Sequence, residues 1–338
     1  MGRKKISFEG LGTLPFEEWE LEEIQPRRSV YDSIRIPEKE KVAESSDGLL
    51  YYISFGSGSS GNSCYLGTSN GGIIIDAGVK AEDIMARIKA NGIDMKKVYG
   101  VLLTHDHSDH VRYAYGLVRN NRHMKVYCTN RVLNALLRRH NISKRIKDYH
   151  ISIFKEIPFK VGELEITAFE VPHDGMDNMG FSIRFQNRNF VLATDMGEVQ
   201  PRAHHYMSQA DYLVIESNYD LKMLLHGRYP EYLKARIQTG VGHMDNEATA
   251  AYLKKIYSAR LRHIFLCHLS KDNNTPEIAL QKIRASLEEA GAKVGDGMET
   301  LEDRQADVQL TALPRYDATR LYVFRNDIKD INECKGNV

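Results

Sequence analysis

Residues 102–111 read LLTHDHSDHV, and this stretch decides how the rest of the chain is interpreted. Three histidines and two aspartates occupy positions 105–110, directly after an apolar run. A catalytic divalent ion needs three or four imidazoles or carboxylates that converge from fixed directions. Side chains in extended backbone alternate with period two, so His105 and His107 point the same way and can hold one ion. Asp109 and His110 project differently, where the chain turns into a helix, and we expect them to serve a second ion.

Two ions need more ligands than this turn supplies, so the others must come from the ends of other strands. Three titratable residues follow apolar runs of strand length: His173 after TAFEVP, Asp195 after FVLAT and His268 after HIFLC. Alone, a histidine in such a place is more often a surface or core residue. Together with the cluster, the three residues complete two ligand sets. The sequence therefore predicts a site for two divalent metal ions, and both zinc and manganese suit these ligands.

Composition limits the class of protein. A chain of 338 residues with 42% hydrophobic content can bury a large core. Its four cysteines are far apart and form no CxxC pair, which argues against a zinc ribbon or a disulfide framework. No apolar run approaches the length of a membrane span, and the first residues lack the apolar core of a secretion signal. We expect a cytoplasmic protein without a membrane partner or an organic cofactor.

The chain divides into three predicted segments. Residues 1–50 are charged and contain three prolines, which indicates an extension of unknown role. Residues 51–325 form the predicted catalytic domain, and residues 326–338 form a tail. Within the domain, short apolar runs alternate with Gly- and Ser-rich turns, and helical periodicity appears near 81–92, 131–140, 246–257 and 275–290. This pattern predicts an α/β fold in which helices cover layered sheets.

Positive charge is concentrated near the cluster. The whole chain carries a net charge of +1, but residues 112–147 contain ten Lys or Arg and no Asp or Glu. Lys and Arg beside a metal site favour a phosphate backbone as substrate. The alternative is an ordinary solvated helix face. A second basic group lies between Asp195 and His268 and comprises Lys222, Arg228, Lys234 and Arg236.

These motifs resemble a known family. THDHSDH at 104–110 is similar to the HxHxDH signature of the metallo-β-lactamase superfamily. Other blocks resemble its YycJ/WalJ-type branch of 5′-to-3′ DNA exonucleases: GSGSSGNSCYLG, ATDMG, VIESNYD, RYPEYLKARI, VGHMDNEATA and CHLSKDNN. The likeness covers about residues 51–325. It implies a metallo-β-lactamase-like four-layer αββα sandwich with two metal ions at one edge.

The resemblance also implies roles for single residues. One ion is expected at His105, His107 and His173, and the other at Asp109, His110 and His268, with Asp195 between them. Asp76 matches the aspartate that orients a ligand imidazole by accepting its second N–H. The predicted catalytic residues are Asp109, Asp195 and His243. His243 is expected to donate a proton to the leaving oxygen or to bind the scissile phosphate; alternatively, it only belongs to a helix cap. The predicted substrate contacts are Ser60, Asn62, Arg112 and Asn218.

Hydrolysis is the reaction that this site favours, because two cations about 3.5–4 Å apart bring the pKa of a bridging water near neutrality. We therefore predict a two-metal phosphodiesterase, in the first instance a 5′-to-3′ DNA exonuclease with a metal-bridging hydroxide as nucleophile and nucleic acid as partner. Two alternatives stay open: a small-molecule hydrolase of the lactonase or thioesterase type, and a non-catalytic DNA-binding factor whose metals brace the fold. The oligomeric state is not predicted.

Overall fold

The computed structural model of the protein describes residues 48–297 and 305–325. Residues 1–47 of the predicted extension, and the whole predicted tail at 326–338, lie outside the described residues. Within the described ranges, no helix combines the length and the apolar character that crossing a bilayer requires.

The described strands, in chain order, are β1 (Leu50–Gly56), β2 (Ser63–Thr68), β3 (Gly71–Ile75), β4 (Val98–Leu102), β5 (Lys125–Cys128), β6 (His150–Ser152), β7 (Phe159–Val161), β8 (Leu164–Glu170), β9 (Met179–Phe185), β10 (Arg188–Ala193), β11 (Tyr212–Glu216), β12 (His263–Cys267), β13 (Val294–Gly295), β14 (Val308–Ala312) and β15 (Tyr322–Phe324).

The described α-helices are α1 (Ala81–Ala90), α2 (Ser108–Val111), α3 (Ala114–Asn120), α4 (Asn130–Arg139), α5 (Pro201–Met207), α6 (Leu221–His226), α7 (Glu231–Ile237), α8 (Asn246–Ile256) and α9 (Pro276–Glu289). Side chains cap several of them. Thr129 Oγ1 accepts from Val132 N at 3.2 Å at the start of α4, and Asp245 Oδ1 accepts from Ala248 N at 2.8 Å at the start of α8. Such caps satisfy N–H groups that the first helical turn cannot pair internally.

Two mixed sheets pack face to face. In the described chain one sheet has the order β15-β1-β2-β3-β4-β5-β6 and the other the order β13-β14-β12-β11-β10-β9-β8-β7. Aromatic rings cross the interface: the centroid of Tyr52 lies 5.0 Å from that of Phe190 and 4.8 Å from that of Phe265. All three side chains are fully buried, so the main core lies between the sheets.

Helices cover the outer face of each sheet. Ile84 of α1, Leu117 of α3 and Leu136 of α4 are buried against the first sheet. Leu253 of α8 and Ile283 of α9 belong to a second apolar cluster, on the outer face of the other sheet. The order of layers is therefore helix, sheet, sheet, helix, and the predicted four-layer αββα sandwich is confirmed.

Strand direction explains where the functional residues can meet. β3, β4 and β5 are parallel neighbours in the first sheet, and β10, β11 and β12 are parallel neighbours in the second. The carboxyl ends of parallel neighbours lie at the same edge of a sheet. The LLTHDHSDHV turn follows β4 at this edge, and the segments after β10 and β12 reach the corresponding edge opposite.

Candidate metal centre

The first group of possible ligands contains four side chains from both sheets. The ligand atoms of His105, His107, His173 and Asp195 all lie within 4.8 Å of one another. His105 Nε2 is 3.9 Å and His173 Nε2 is 3.6 Å from Asp195 Oδ2. Apart from the half-buried His107, these side chains are buried.

The second group lies beside the first and shares one member with it. Asp109, His110, Asp195 and His268 also place their ligand atoms within 4.8 Å of one another. His110 Nε2 is 3.4 Å from Asp195 Oδ2, and His268 Nε2 is 3.7 Å from Asp109 Oδ2. The structure thus brings together all seven residues that the sequence indicated as ligands, and Asp195 belongs to both groups.

The chemistry of these groups fits divalent cations. Nε2 of His105 and Nε2 of His268 are buried, and neither has a hydrogen-bond partner among the described residues. A buried polar atom without a partner costs about 1–3 kcal/mol, so native proteins rarely leave one without a purpose. Imidazole nitrogens and carboxylate oxygens in sets of four are the ligands that Zn²⁺ and Mn²⁺ accept. Coordination would satisfy both orphaned atoms.

Strained backbone aims three side chains into this site. Asp76, Asp195 and His268 have positive φ angles of 59°, 24° and 54°. Each stands within two residues of a strand end, at the close of β3, β10 and β12 respectively. Non-glycine residues seldom adopt this conformation, and it persists where the surrounding structure determines it.

Asp76 holds His110 from behind. Its Oδ2 lies 2.6 Å from His110 Nδ1 and accepts a hydrogen bond of 2.8 Å from Thr104 Oγ1. Its Oδ1 accepts from Thr104 N at 2.9 Å. With Nδ1 occupied by this carboxylate, His110 presents Nε2 to Asp195 and Asp109. Asp76 therefore has the geometry that the sequence comparison implied.

Glu216 is a buried acid at the site that the sequence analysis missed. Its Oε1 lies 2.7 Å from His243 Nδ1 and 2.8 Å from His268 Nδ1, and its Oε2 accepts from Met196 N at 2.9 Å. Glu216, His243 and His268 form a third group whose ligand atoms lie within 4.8 Å of one another. Glu216 ends the apolar run YLVIE, the same signal that pointed to Asp195 and His268.

Asp174 was missed as well. Its Oδ1 lies 3.3 Å from His107 Nε2, and its Oδ2 accepts a hydrogen bond of 2.8 Å from Arg236 Nε of α7. The carboxylate follows His173 directly in sequence. Arg236, one of the second group of basic residues, is thereby connected to the rim of the metal centre.

The charges of the buried groups are interdependent. Burial opposes a positive charge on His110, but the carboxylates of Asp195, Asp76 and Asp109 outweigh it and hold its pKa well above the ordinary value. Burial also opposes a positive charge on His268, but the nearby carboxylates, Asp195 above all, outweigh the burial and raise the pKa of His268 to about 10. Burial also opposes ionisation of Glu216, yet His243 and His268 lower its pKa to about 2. Without cations, protons on imidazoles compensate the buried carboxylates.

The pKa of His243 is raised for a related reason. Burial favours its neutral form, but Glu216 beside Nδ1 outweighs the burial and raises the pKa of His243. His243 N donates to Ile237 O at 2.9 Å. The helix cap of α8 is supplied by Asp245, so His243 is not the capping residue.

The predicted substrate contacts divide into two kinds. Asn62 and Asn218 are buried and touch the possible ligands: Asn62 Nδ2 donates to Asp109 Oδ2 at 3.2 Å, and Asn218 Nδ2 donates to His268 O at 2.7 Å. Ser60 and Arg112 are exposed, in the β1–β2 loop and at the end of α2. In this geometry the two asparagines support the site, while the other two can reach solvent.

The basic run at 112–147 lies largely on the surface. Arg139 Nη1 pairs with Asp106 Oδ2 at 2.9 Å. The other nine Lys and Arg side chains of the run form no ion pair with any described carboxylate. These nine side chains therefore make no close ion pair within the described chain.

Comparison with known proteins gives consistent relationships. The model of the beta-lactamase superfamily domain matches residues 72–268. The chain is 35% identical over 251 residues to the exodeoxyribonuclease YycJ of Bacillus anthracis. This alignment covers 74% of this chain and 94% of the relative. It is 32% identical over 249 residues to the exodeoxyribonuclease WalJ of Streptococcus pneumoniae, or 73% of this chain and 91% of the relative.

Among solved structures, the metallo-beta-lactamase fold protein YhfI from Bacillus subtilis aligns with a TM-score of 0.57 and 13% identity. The alignment covers 82% of this chain and all of that one. At such low identity the likeness concerns the fold alone.

Proposed function

Because the chain belongs to the metallo-β-lactamase superfamily and to its YycJ/WalJ group, we propose that it is a two-metal phosphodiesterase that removes nucleotides from the 5′ end of DNA. The observation that carries this proposal is the pair of four-residue groups that share Asp195. Neighbouring sites with one shared carboxylate suit hydrolysis of a phosphodiester, where charge develops on both the attacking and the leaving oxygen.

The seven residues of the two groups would hold the ions. One ion would be held by His105, His107 and His173, the other by Asp109, His110 and His268, and both by Asp195. Two such cations, when bound, supply Lewis-acid polarisation of the phosphate and activation of water near neutral pH.

His243 is placed to move a proton in this reaction. Its Nδ1 faces Glu216 Oε1 at 2.7 Å, so Nε2 is the ring nitrogen left to act outside this pair. Its ring centroid lies 5.1 Å from the rings of both His173 and His268. A protonated His243 at this position donates from Nε2 to the leaving oxygen, and Glu216 fixes the ring orientation and stabilises its charge.

The basic run at 112–147 supports a polyanionic substrate. Nine cationic side chains without ion-pair partners in the described chain attract a phosphate backbone, and the attraction weakens with salt. The names of the two bacterial relatives specify DNA for those proteins. We adopt DNA as the substrate of this chain on that basis.

The test is a nuclease assay on purified full-length protein. Duplex and single-stranded DNA, labelled at either the 5′ or the 3′ end, are incubated with Mn²⁺, Zn²⁺ or Mg²⁺. We expect metal-dependent release of a mononucleotide from the 5′ label in the earliest time points. His107→Ala should abolish it, while His205→Ala, at an exposed histidine of α5, should not.

Three results would contradict the proposal. If lactones or thioesters are hydrolysed and DNA is not, the chain is a small-molecule hydrolase on the same fold. If DNA binds but no substrate is cleaved with any of the three ions, the protein is a binding factor. Release of the 3′ label first would contradict the proposed polarity.

A further inference from the structure

A surface cavity lies beside the metal centre, and none of the predicted ligands lines it. It has a volume of about 220 Å³ and is lined by Phe55, Val79, Asp83, Ala86, Arg87, Tyr316 and Ala318. Tyr316 is 63% exposed, and it forms one wall. The cavity is smaller than the roughly 300–1,000 Å³ of pockets for drug-sized ligands, so it suits a single ring system.

A cluster of hydrogen-bond donors adjoins this cavity. Arg315 is half-buried, and no described carboxylate forms an ion pair with it. Its Nη1 donates to Ser59 Oγ at 3.3 Å, and Nη2 donates to the carbonyl oxygen of Leu269. The side chains of Ser60 and Lys271 lie close enough to the hydroxyl of Tyr316 to lower its pKa. A guanidinium, an ammonium and the hydroxyls of Ser59, Ser60 and Tyr316 thus lie together at the mouth of the cavity.

Gly58 makes this arrangement possible. A Cβ atom at this position would lie 2.6 Å from Arg315 Nη1, and its φ of 155° is one that side chains rarely adopt. The backbone conformation at this position therefore favours glycine, and the loop passes close to the guanidinium. Its backbone lies against the cationic group of Arg315.

The loop connects this cluster to the second group of possible ligands. Asn62 Nδ2 donates to Gly58 O at 3.1 Å and to Asp109 Oδ2 at 3.2 Å. On the other side, Ser57 Oγ accepts from His268 N at 2.9 Å. The backbone of Gly78, next to Val79 of the cavity wall, packs directly on the carbonyl of Asp109. The cavity and the donor cluster therefore flank the Asp109 and His268 side of the metal centre.

We propose that this cavity and cluster bind one nucleotide unit: the base enters the cavity against Tyr316, and its phosphate lies between Arg315 and the Ser59–Ser60 loop. The inference rests on the proposed function, which it deepens by assigning a position to the terminal nucleotide of the DNA strand. Arg is suited to phosphate because it stays charged and offers five donors.

The two halves of the site favour different parts of a nucleotide. Asp83 and Arg87 in the cavity can accept from and donate to the edge of a base, whereas Asp83 would repel a phosphate there. The phosphate is therefore directed to the mouth, where Arg315 and Lys271 supply the charge. The stacking surface of Tyr316 tolerates any base, because every base has an aromatic face.

The test measures binding of deoxyadenosine 5′-monophosphate to the metal-loaded full chain by calorimetry. Deoxyadenosine probes the cavity alone, and inorganic phosphate probes the donor cluster alone. We expect Tyr316→Ala to weaken nucleotide binding by about fivefold to a hundredfold, as the loss of one stacked base predicts. Tyr316→Phe should retain the affinity within about twofold, and Arg315→Lys should weaken binding of the nucleotide but not of deoxyadenosine.

The matched control is Tyr232→Ala, at a tyrosine of α7 that is 77% exposed and does not line the cavity. It should leave nucleotide affinity unchanged. Contacts between phosphate and metal are common to all variants, so they cancel when the dissociation constant of a variant is divided by that of the wild type.

Nuclease activity is measured on the same samples. If the wild-type protein degrades DNA but Tyr316→Ala binds the nucleotide as tightly as wild type, the subsite is wrong and the proposed function stands. If nucleotide binding depends on Tyr316 and Arg315 but DNA stays intact, the subsite stands and the proposed function is wrong.

Discussion

Replacing Glu216 by glutamine tests whether one buried carboxylate organises the histidine side of the centre. Oε1 of Glu216 faces the Nδ1 atoms of His243 and His268, and Oε2 accepts from the backbone N–H of Met196 at 2.9 Å and of Met244 at 3.3 Å. Asn218 Nδ2 also donates to Oε1, at 3.3 Å. All five neighbours can be donors, so the position requires an acceptor at both oxygens. An amide of the same shape offers one acceptor and one donor.

Each orientation of the glutamine has a different defect. If its oxygen faces the histidines, its NH₂ meets two backbone N–H groups, and two buried donors lose their acceptor at about 1–3 kcal/mol each. The expected loss of unfolding free energy is then about 2–6 kcal/mol, a large part of the roughly 5–15 kcal/mol of a typical protein. If the amide is reversed, His268 must accept at Nδ1 and carry its proton on Nε2, which removes this nitrogen as a ligand. Metal affinity should then fall about 10–100-fold, as for the loss of other groups that orient ligands.

Urea unfolding and metal content after gel filtration are measured together on Glu216→Gln. The control is Glu165→Gln, at a partly exposed acid that pairs with Arg184 at 3.4 Å. Surface pairs of this kind contribute at most about 1 kcal/mol, so this variant should resemble the wild type. A Glu216→Gln protein with both wild-type stability, within about 0.5 kcal/mol, and full metal content would refute the reasoning.

Three further predictions concern pH, ligand support and metal. Burial lowers the pKa of His263 to about 3, so between about pH 6.5 and pH 3 the unfolded chain binds a proton that the folded chain does not. The free energy of unfolding should therefore fall by about 2 kcal/mol from pH 7 to pH 5 because of this histidine. His263→Phe should reduce the slope of urea stability against pH, and an unchanged slope would contradict the assignment. Asp76→Asn should weaken metal binding about 10–100-fold in chelator competition, because the amide cannot hold His110 Nδ1 as the carboxylate does, and equal affinity would count against this role. Chelation should lower the Tm by about 5–10 °C relative to protein with metal at one hundred times its Kd, since the groups hold ligands from both sheets; identical melting curves would argue that no ion binds.

Long elements with clear end signals were the most predictable part of the fold. The helix predicted at 275–290 is α9 at Pro276–Glu289, because Thr275 caps it and proline occupies its first turn. The short helices α5, α6 and α7 have six or seven residues each and were not predicted. So few turns give too little periodicity for an apolar face to be recognised.

The predicted ligands were accessible to sequence reasoning because their residue types are chemically distinctive and each follows an apolar strand. Glu216 escaped it because its role depends on partners 27 and 52 positions away, His243 and His268. Asp174 was not predicted for a similar reason, because its partner Arg236 lies in α7, 62 positions along the chain. Glu216 does end an apolar strand, but the role of a carboxylate that positions other side chains is defined only by those distant partners.

The positive φ angles at Asp76, Asp195 and His268 have a consequence for how this protein can be engineered. A left-handed conformation disfavours ordinary side chains by roughly 1–2 kcal/mol, and glycine does not bear this penalty. Selection for heat resistance alone therefore does not protect these three positions, whose side chains we propose to hold or orient the metal ions. Variants of this chain should therefore be screened for turnover and for melting temperature at the same time, because selection for melting temperature alone accepts variants that have lost activity.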